Sequence, residues 1–271
     1  MKIGCATLAY NQGEFIEEAV ASVLNQQFLG KYIVYDPGSN DCTSDSIAKF
    51  QNDLDYLRVE KDLGPADGLN YCLSRISSDI FYYLNADDRV VEGAFKYVAE
   101  YFERNPKCDI LHGSVNIINR RGEYVKTLPS MKFSLLRYAM QISVVYQQAT
   151  FIRRKALKND AFNIENHICW DGELIVDLVR NGAEIHQTNE ILGEFRIYVD
   201  SLTGSYNYAN KLKSEHERIA VKILGYRPNK LQFAFYYFLG KYFAVGRAIK
   251  TRIRFQRKYF KDLKGIRNEQ N

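Results

Sequence analysis

The first hundred residues alternate short, β-rich apolar runs with stretches of helical periodicity, and this rhythm confines the chain to few folds. Residues 2–8, 32–35, 56–59 and 80–84 read as strands, and 109–112 begins a fifth. Residues 14–27, 44–52, 67–76 and 92–105 read as the intervening helices. In the first of these, Phe15, Ala19, Val23 and Leu24 fall near one face, and the last stops near Pro106. Strand–helix alternation with short loops predicts a mostly parallel sheet covered by helices on both faces. Right-handed crossovers then bring the strand-to-helix loops together at the carboxyl ends of the strands, where ligands of such sheets bind. Those loops are residues 9–13, 36–43, 61–65 and 85–91, the polar and chemically loaded segments of this half.

The rhythm changes between residues 113 and 210. A hairpin is expected from 114–119, a turn at 120–122 and 123–127, followed by a helix near 133–140. Residues 147–153, a helix near 172–181 and a strand near 184–186 come next, and 230–261 reads as helical. No repeat or low-complexity linker separates the halves, so one shared sheet is expected. The division predicted is 1–112 and 113–225 as two halves of one domain, with 226–271 as a basic aromatic helical tail.

Four segments could carry chemistry. Leu84-Asn85-Ala86-Asp87-Asp88 follows an apolar strand directly. Adjacent carboxylates there repel each other and are tolerable with a cation between them and an anionic ligand. Hard ions such as Mg²⁺ are often held by one or two carboxylates plus substrate phosphates. A solvated turn with a helix cap accounts for the pair equally well. Asp36 opens the second loop, where its carboxylate could accept from a base N–H or a ribose hydroxyl. Ser39, Asp41 and Thr43 are better explained as caps of the next helix. In the first loop Tyr10 could stack on a base, with Thr7 and Asn11 hydrogen-bonding it, although packing and a turn explain these residues too. In the segment 61–70, Gly64 permits close backbone approach, and Asp67 and Asn70 share a helix face.

Together and in this order the four segments resemble glycosyltransferase family 2, of the GT-A fold. Thr7–Asn11 is similar to its first-strand motif, 34–43 to its VDGGSTDGT-like loop, 60–70 to its E-x-D-x-G-x-x-D-A-x-N-like segment, and 84–88 to its L-[DN]-[AS]-D-D metal loop. Further on, Gln147-Gln148-Ala149-Thr150-Phe151 resembles an HQATFF-like acceptor-side segment, with Gln147 in place of His. Trp170-Asp171-Gly172-Glu173-Leu174 resembles the E-D-x-[DE]-L element, and Phe195-Arg196-Ile197-Tyr198 with Ser201 and Thr203 resembles F-R-x-H-x-x-S-x-T, with Tyr198 in place of His. Asn85 replaces the first Asp of the metal motif, which leaves Asp87 and Asp88 as ligands.

The resemblance covers roughly residues 1–205. It implies a Rossmann-like, mostly parallel central sheet with helices on both faces, here with a C-terminal helical extension. It also implies an inverting hexosyltransferase that moves sugar from a nucleotide diphosphate donor, by default UDP-linked, to a hydroxyl of a glycan or polyprenyl-linked acceptor. Divalent metal, Mg²⁺ or Mn²⁺, is the implied cofactor, with Asp87 and Asp88 as ligands. Asp171 takes the place of the general base, with Glu173 as its rival. Thr7, Tyr10, Asn11, Asp36, Gly64, Asp67, Asn85, Ala86, Asp87 and Arg196 are the implied donor contacts, Arg196 at the diphosphate. Two alternatives from other classes are a nucleotidyltransferase and a non-catalytic sugar-nucleotide or glycan-binding module. The first would usually need a basic Gly-rich phosphate loop, and residues 6–13 hold neither Lys nor Arg.

Charge concerns partners. The formal net charge of +5 is concentrated at the end of the chain, where residues 226–271 hold 12 Lys and Arg against 2 acids. With Phe233, Phe235, Tyr236, Tyr237, Phe238, Tyr242 and Phe243 interleaved, 230–261 is expected to make peripheral contact with an anionic membrane. A packed helix pair with a solvated basic end is the plainer account. No nucleic-acid-binding module accompanies the tail, so nucleic acid is not an expected partner. The five cysteines are odd in number, widely spread and without a CxxC pair, which argues against a disulfide framework or zinc site. No charged leader with an apolar core opens the chain, and a cytoplasmic location at the inner face of the cell membrane is expected.

Overall fold

The computed structural model describes residues 1–198 and 209–229 and part of 231–239. The expectations at Ser201 and Thr203, and most of the helix at 230–261, lie outside the described residues.

The expected alternation is present. Strand β1 (Ile3–Leu8), helix α1 (Ile16–Leu24), β2 (Leu29–Asp36), α2 (Thr43–Ala48), β3 (Tyr56–Val59), α3 (Pro65–Arg75) and β4 (Ile80–Asn85) follow one another. β1 pairs in parallel with β2 and β4, and β2 with β3. The inner strands β1 and β4 are buried along nearly their whole length because both faces are covered. One side packs Ile16, Ala19, Val20 and Val23 of α1 against Cys5, Val34 and Tyr82. The other packs Leu69, Cys72 and Leu73 of α3 against Ala6, Ile33 and Phe81.

Then come β5 (Arg89–Val90), α4 (Ala94–Arg104), β6 (Ile110–Ile118), β7 (Tyr124–Leu128), α5 (Leu135–Ala139), β8 (Thr150–Arg153), α6 (Trp170–Arg180), β9 (Ile185–Arg196) and α7 (Ala209–Leu224). The nine strands of the described residues form one sheet in the order β3-β2-β1-β4-β8-β6-β9-β5, with β7 on β6. β8 runs antiparallel to both β4 and β6 and joins the halves. β6 and β9 are parallel, and β6 and β7 form the expected hairpin. β6 runs unbroken across residues 112 and 113.

Three elements depart from the sequence reading. The strand expected at 184–186 extends through Arg196, past Gly193. Gly193 is a packing requirement, since a Cβ there would lie 2.1 Å from the Gln148 carbonyl oxygen. The two-residue strand β5 has no periodicity of its own and exists through its pairing with Gly193 and Glu194 of β9. Helix α7 had no counterpart, although Ile219, Ala220 and Ile223 give it an apolar face.

Candidate functional site

The four expected loops all leave from the carboxyl end of the parallel strands β1 to β4. Ala9 N–H donates to the Tyr35 carbonyl at 2.9 Å, and Ala86 N–H to the Leu8 carbonyl at 3.1 Å. The loops after β1, β2 and β4 therefore leave side by side. The first two are laced together. Asn11 N–H donates to Ser39 Oγ (2.8 Å), Asn40 N–H to Asn11 Oδ1 (3.0 Å), Gln12 N–H to Thr43 Oγ1 (2.8 Å) and Gly13 N–H to Asp41 Oδ2 (3.0 Å). Asn11 takes the left-handed conformation, φ 52°, which Asn tolerates better than most residues. This turn leaves the Tyr10 ring 56% exposed beside the loops.

Thr7 and Asp36, expected at the nucleobase, face inward instead. Thr7 is buried and its hydroxyl pairs with the Tyr32 hydroxyl at 2.9 Å, because β1 is covered on both faces and the side chain at position 7 meets the neighbouring strand β2. Asp36 is also buried. Its Oδ1 accepts from Gly38 N–H, Ser39 N–H and Ser39 Oγ, and its Oδ2 from Ser44 Oγ (2.9 Å). Asp36 thus shapes its own loop. The capping expected of Ser39, Asp41 and Thr43 is not made: the N-cap of α2 is Cys42, without a side-chain cap bond, and Asp41 accepts from Thr43 N–H two residues on, an Asx turn ahead of the helix.

Gly64 needs its φ of 125°, and a Cβ there would meet His167 Nδ1 at 3.4 Å. Asp67 Oδ2 accepts from Leu63 N–H (3.1 Å), which closes the loop onto α3. Asn70 clamps the Phe162 backbone from both sides, donating to its carbonyl (2.8 Å) and accepting from its N–H (2.9 Å). The 61–70 segment is thereby tied to the stretch that leads into α6.

After β4, Asn85 is half-buried, Ala86 is buried, and the two aspartates part company. Asp88 turns inside, its Oδ1 accepting from Arg196 N–H (2.9 Å) and its Oδ2 from Gln148 Nε2 (2.8 Å). Asp87 stays half-buried with Oδ2 3.3 Å from the Tyr198 hydroxyl. Burial pushes both carboxyls upward, and the Asp87 charge adds to the effect on Asp88. Such a pair suits a divalent cation, which would offset the cost of burying both charges. Among the described residues no cluster of three or more His, Cys, Asp or Glu could hold a metal. A cation here would take its remaining ligands from phosphate and water, as Mg²⁺ commonly does.

Arg196, expected at the diphosphate, serves the loop from behind. It is only 1% exposed. Its guanidinium donates to the Asp87 carbonyl (2.7 Å), Glu18 Oε2 (2.7 Å), and the carbonyls of Arg120 (2.9 Å) and Asn119 (3.3 Å), over the Phe15 ring at 4.7 Å. The hydrogen-bonding capacity that suggested a phosphate contact is engaged by the Asp87 loop and the β6–β7 turn.

Asp171 stands in the first turn of α6, and Trp170 beside it packs its ring 5.5 Å from Tyr83 near the end of β4. Gln147 Nε2 donates to the Tyr83 carbonyl, while Gln148 reaches Asp88. The metal-loop candidate and α6 therefore flank the same strand end, joined by residues 147–148. Burial pushes the Asp171 carboxyl up to about 6, against the opposing bond from Gly172 N–H (2.7 Å). Glu173 behaves oppositely. Burial raises it, but bonds from Arg218, Asn166, Lys222 and Asn163 overcome that and hold it at about 2. A proton acceptor at neutral pH should have a pKa near the working pH and open valences, and only Asp171 of the two has both.

Tyr138 is the site neighbour that sequence reasoning missed. A Cβ at position 172 would lie 1.8 Å from its hydroxyl, so Gly172 is what allows the ring against the first turn of α6. The Trp-Asp-Gly order carried that signal, but the partner on α5 was visible only in three dimensions.

The family model described as Glycosyl transferase family 2 matches residues 5–160. Poly-beta-1,6-N-acetyl-D-glucosamine synthase of Staphylococcus epidermidis is 26% identical over 188 residues, 65% of this chain. The chain spans 44% of the length of that relative. Among solved structures, S. aureus TarS in complex with UDP-GlcNAc superposes with TM-score 0.64 at 18% identity, over 86% of this chain and 69% of that one. The mannosyltransferase PcManGT from Pyrobaculum calidifontis, in complex with GDP-Man and Mn²⁺, gives 0.59 at 15% identity, over 84% of this chain and 66% of that one.

Proposed function

The chain belongs to glycosyl transferase family 2, and from that premise we propose that it is an inverting glycosyltransferase using a nucleotide diphosphate sugar, by default UDP-linked. The observation that carries this reading is Asp171, a partly buried carboxylate at about 6, on a helix flanking the strand end from which Asp87 departs. Residues 1–112 would hold the donor and 113–225 the acceptor.

Tyr10 offers the exposed ring for the base, backed by the laced loops that Asn11 and Asp36 organise. Gly64 and Asp67, in the closed loop that follows β3, would approach the donor from beside the Asp36 loop. Asp87 would hold a divalent cation, Mg²⁺ or Mn²⁺, with Asp88 bracing the loop and adding negative charge, and Asn85 and Ala86 lining the approach. When bound, the ion would supply positive charge to the leaving diphosphate. Asp171 accepts the proton of the acceptor hydroxyl as that oxygen forms its bond to the anomeric carbon and the bond to diphosphate breaks. UDP-GlcNAc bound to TarS and GDP-Man with Mn²⁺ bound to PcManGT support the donor class and the ion. The synthase relative supports a glycan acceptor in polysaccharide assembly.

The test is thermal stability with UDP, GDP and dTDP, each with and without Mn²⁺ or Mg²⁺. One nucleotide should raise the melting temperature in a metal-dependent manner, by the stabilisation that binding to the folded state requires. Asp87→Ala should abolish the metal-dependent part. No shift with any nucleotide at saturation would overturn the donor reading and favour a glycan-binding module.

The tail remains the proposed membrane contact at the inner face of the cell membrane. No described helix is long and apolar enough to cross a bilayer. Support comes from Leu231, Phe235 and Phe238, large apolar residues exposed at the described positions, next to the run of cations. The full chain should float with anionic liposomes while a chain ending at Asn229 stays behind; equal flotation would end the idea.

A further inference from the structure

Helix α7 lies beyond the family match, yet it reaches the helix that carries Asp171. The contact runs through Glu173, two residues after Asp171, whose side chain is 1% exposed. Arg218 of α7 gives this carboxylate two bonds, Nη1 to Oε1 at 2.7 Å and Nη2 to Oε2 at 2.6 Å. Lys222, one turn on, donates to Oε1 at 2.9 Å and to Asp177 Oδ2 at 2.6 Å, a second point on α6. From the opposite side Asn166 Nδ2 (2.8 Å) and Asn163 Nδ2 (3.1 Å) donate to Oε2. Asn166 then accepts, through Oδ1, from Cys169 N–H (2.8 Å) and Ile168 N–H (3.2 Å), at the entry to α6.

One buried carboxylate thus ties together α7, the first turn of α6 and the loop that enters it. A carboxylate accepts about four hydrogen bonds, so five donated N–H groups saturate Glu173 and leave its geometry little freedom. Leaving such an anion buried without its cations is expensive, so the loop and helix would rearrange if they were removed. On another side, Tyr138 sits between the His216 ring of α7, at 6.2 Å, and Gly172. Asp171 lies inside this frame, on the same turn.

We propose that α7 belongs to the catalytic apparatus: Arg218 and Lys222 are positioning residues that act through Glu173 to hold Asp171 against the acceptor hydroxyl. The proposal rests on Asp171 being the base, and it assigns a role to a helix the family match does not include.

Two measurements test it on the full chain. The first is hydrogen exchange, which needs no turnover. Arg218→Ala should speed exchange about tenfold across residues 163–173 and leave α1 and α4 unchanged. The second is UDP release from UDP-GlcNAc. Arg218→Ala should lower kcat about a hundredfold, the cost of a ~1 Å misplacement, with donor KM unchanged. Arg218→Lys should recover part of the loss. Arg227→Ala, which breaks the exposed pair of Arg227 with Glu217, should change neither measurement. Should Arg218→Ala melt too low to handle, Lys222→Ala, which leaves Arg218 in place, should show the same pattern at smaller size. Unchanged exchange at 163–173 would overturn the proposal, as would an unchanged kcat or a loss in donor KM alone. A wild-type chain that releases no UDP counts against the UDP-linked donor of the proposed function, and exchange then still decides whether α7 holds the turn.

Discussion

Asp171→Asn should reduce sugar transfer by about 10²–10⁴-fold and leave the metal-dependent nucleotide stabilisation intact. Asn preserves the shape and the bond from Gly172 N–H but cannot take a proton. The wild-type rate should fall about tenfold per pH unit below about 6, where Asp171 becomes protonated. The same substitution should raise the melting temperature at pH 7–8. The Asp171 carboxyl is raised in the folded state from 3.8 to about 6. The folded state therefore binds the proton more tightly, and the stability this confers is present below 3.8 and lost as pH rises through about 6. At pH 7 the ionised group is a burden on the fold that Asn removes. A variant that is more stable and nearly inactive is the signature of a carboxylate kept for chemistry. An Asp171→Asn chain that transfers at the wild-type rate, assayed alongside its melting curve, would remove Asp171 from the mechanism.

Arg196→Ala should destabilise the chain by about 3–5 kcal/mol, lowering the melting temperature by roughly 10 °C, and abolish nucleotide stabilisation together with it. The guanidinium is buried, and its removal takes away the side-chain donor to the carbonyls of Asp87 and Arg120, leaves Asn119 with its bond from Gly122 N–H, and opens a void over Phe15. Because one of those carbonyls belongs to Asp87, the site should loosen before the fold is lost. Arg196→Lys should recover little, since an ammonium on a single stem cannot span Glu18, the Asp87 loop and the 119–120 turn. Thermal melts with and without nucleotide check both effects. A melting temperature within two or three degrees of wild type would show that the loop holds itself.

The arginine also shows where sequence reading reaches its limit. β1 to β4 with their helices were legible because each strand is a short apolar run and each helix a periodic one, properties of consecutive residues. The four polar loops were legible for the same reason, and parallel pairing of β1 to β4 brought all four to one end of the sheet as expected. What a run of residues cannot carry is the direction of each side chain. Thr7, Asp36, Asp88 and Arg196 have the chemistry of ligand contacts, yet all four are turned into the protein, where they shape the loops. Their partners, Tyr32, Ser44, Gln148 and Glu18, are distant in sequence or belong to other elements. Choosing between Asp171 and Glu173 is the clearest case. Two carboxylates two residues apart look alike in one dimension. They point to different sides of α6, and bonds from Arg218 and Lys222 of α7, with Asn166 and Asn163 of the loop entering α6, hold one at about 2 against its burial, while burial lifts the other to about 6. Periodicity and motif order established the fold and the family. Packing between elements distant in sequence decided which carboxylate is free, because burial and hydrogen-bond partners exist only once the chain has closed on itself.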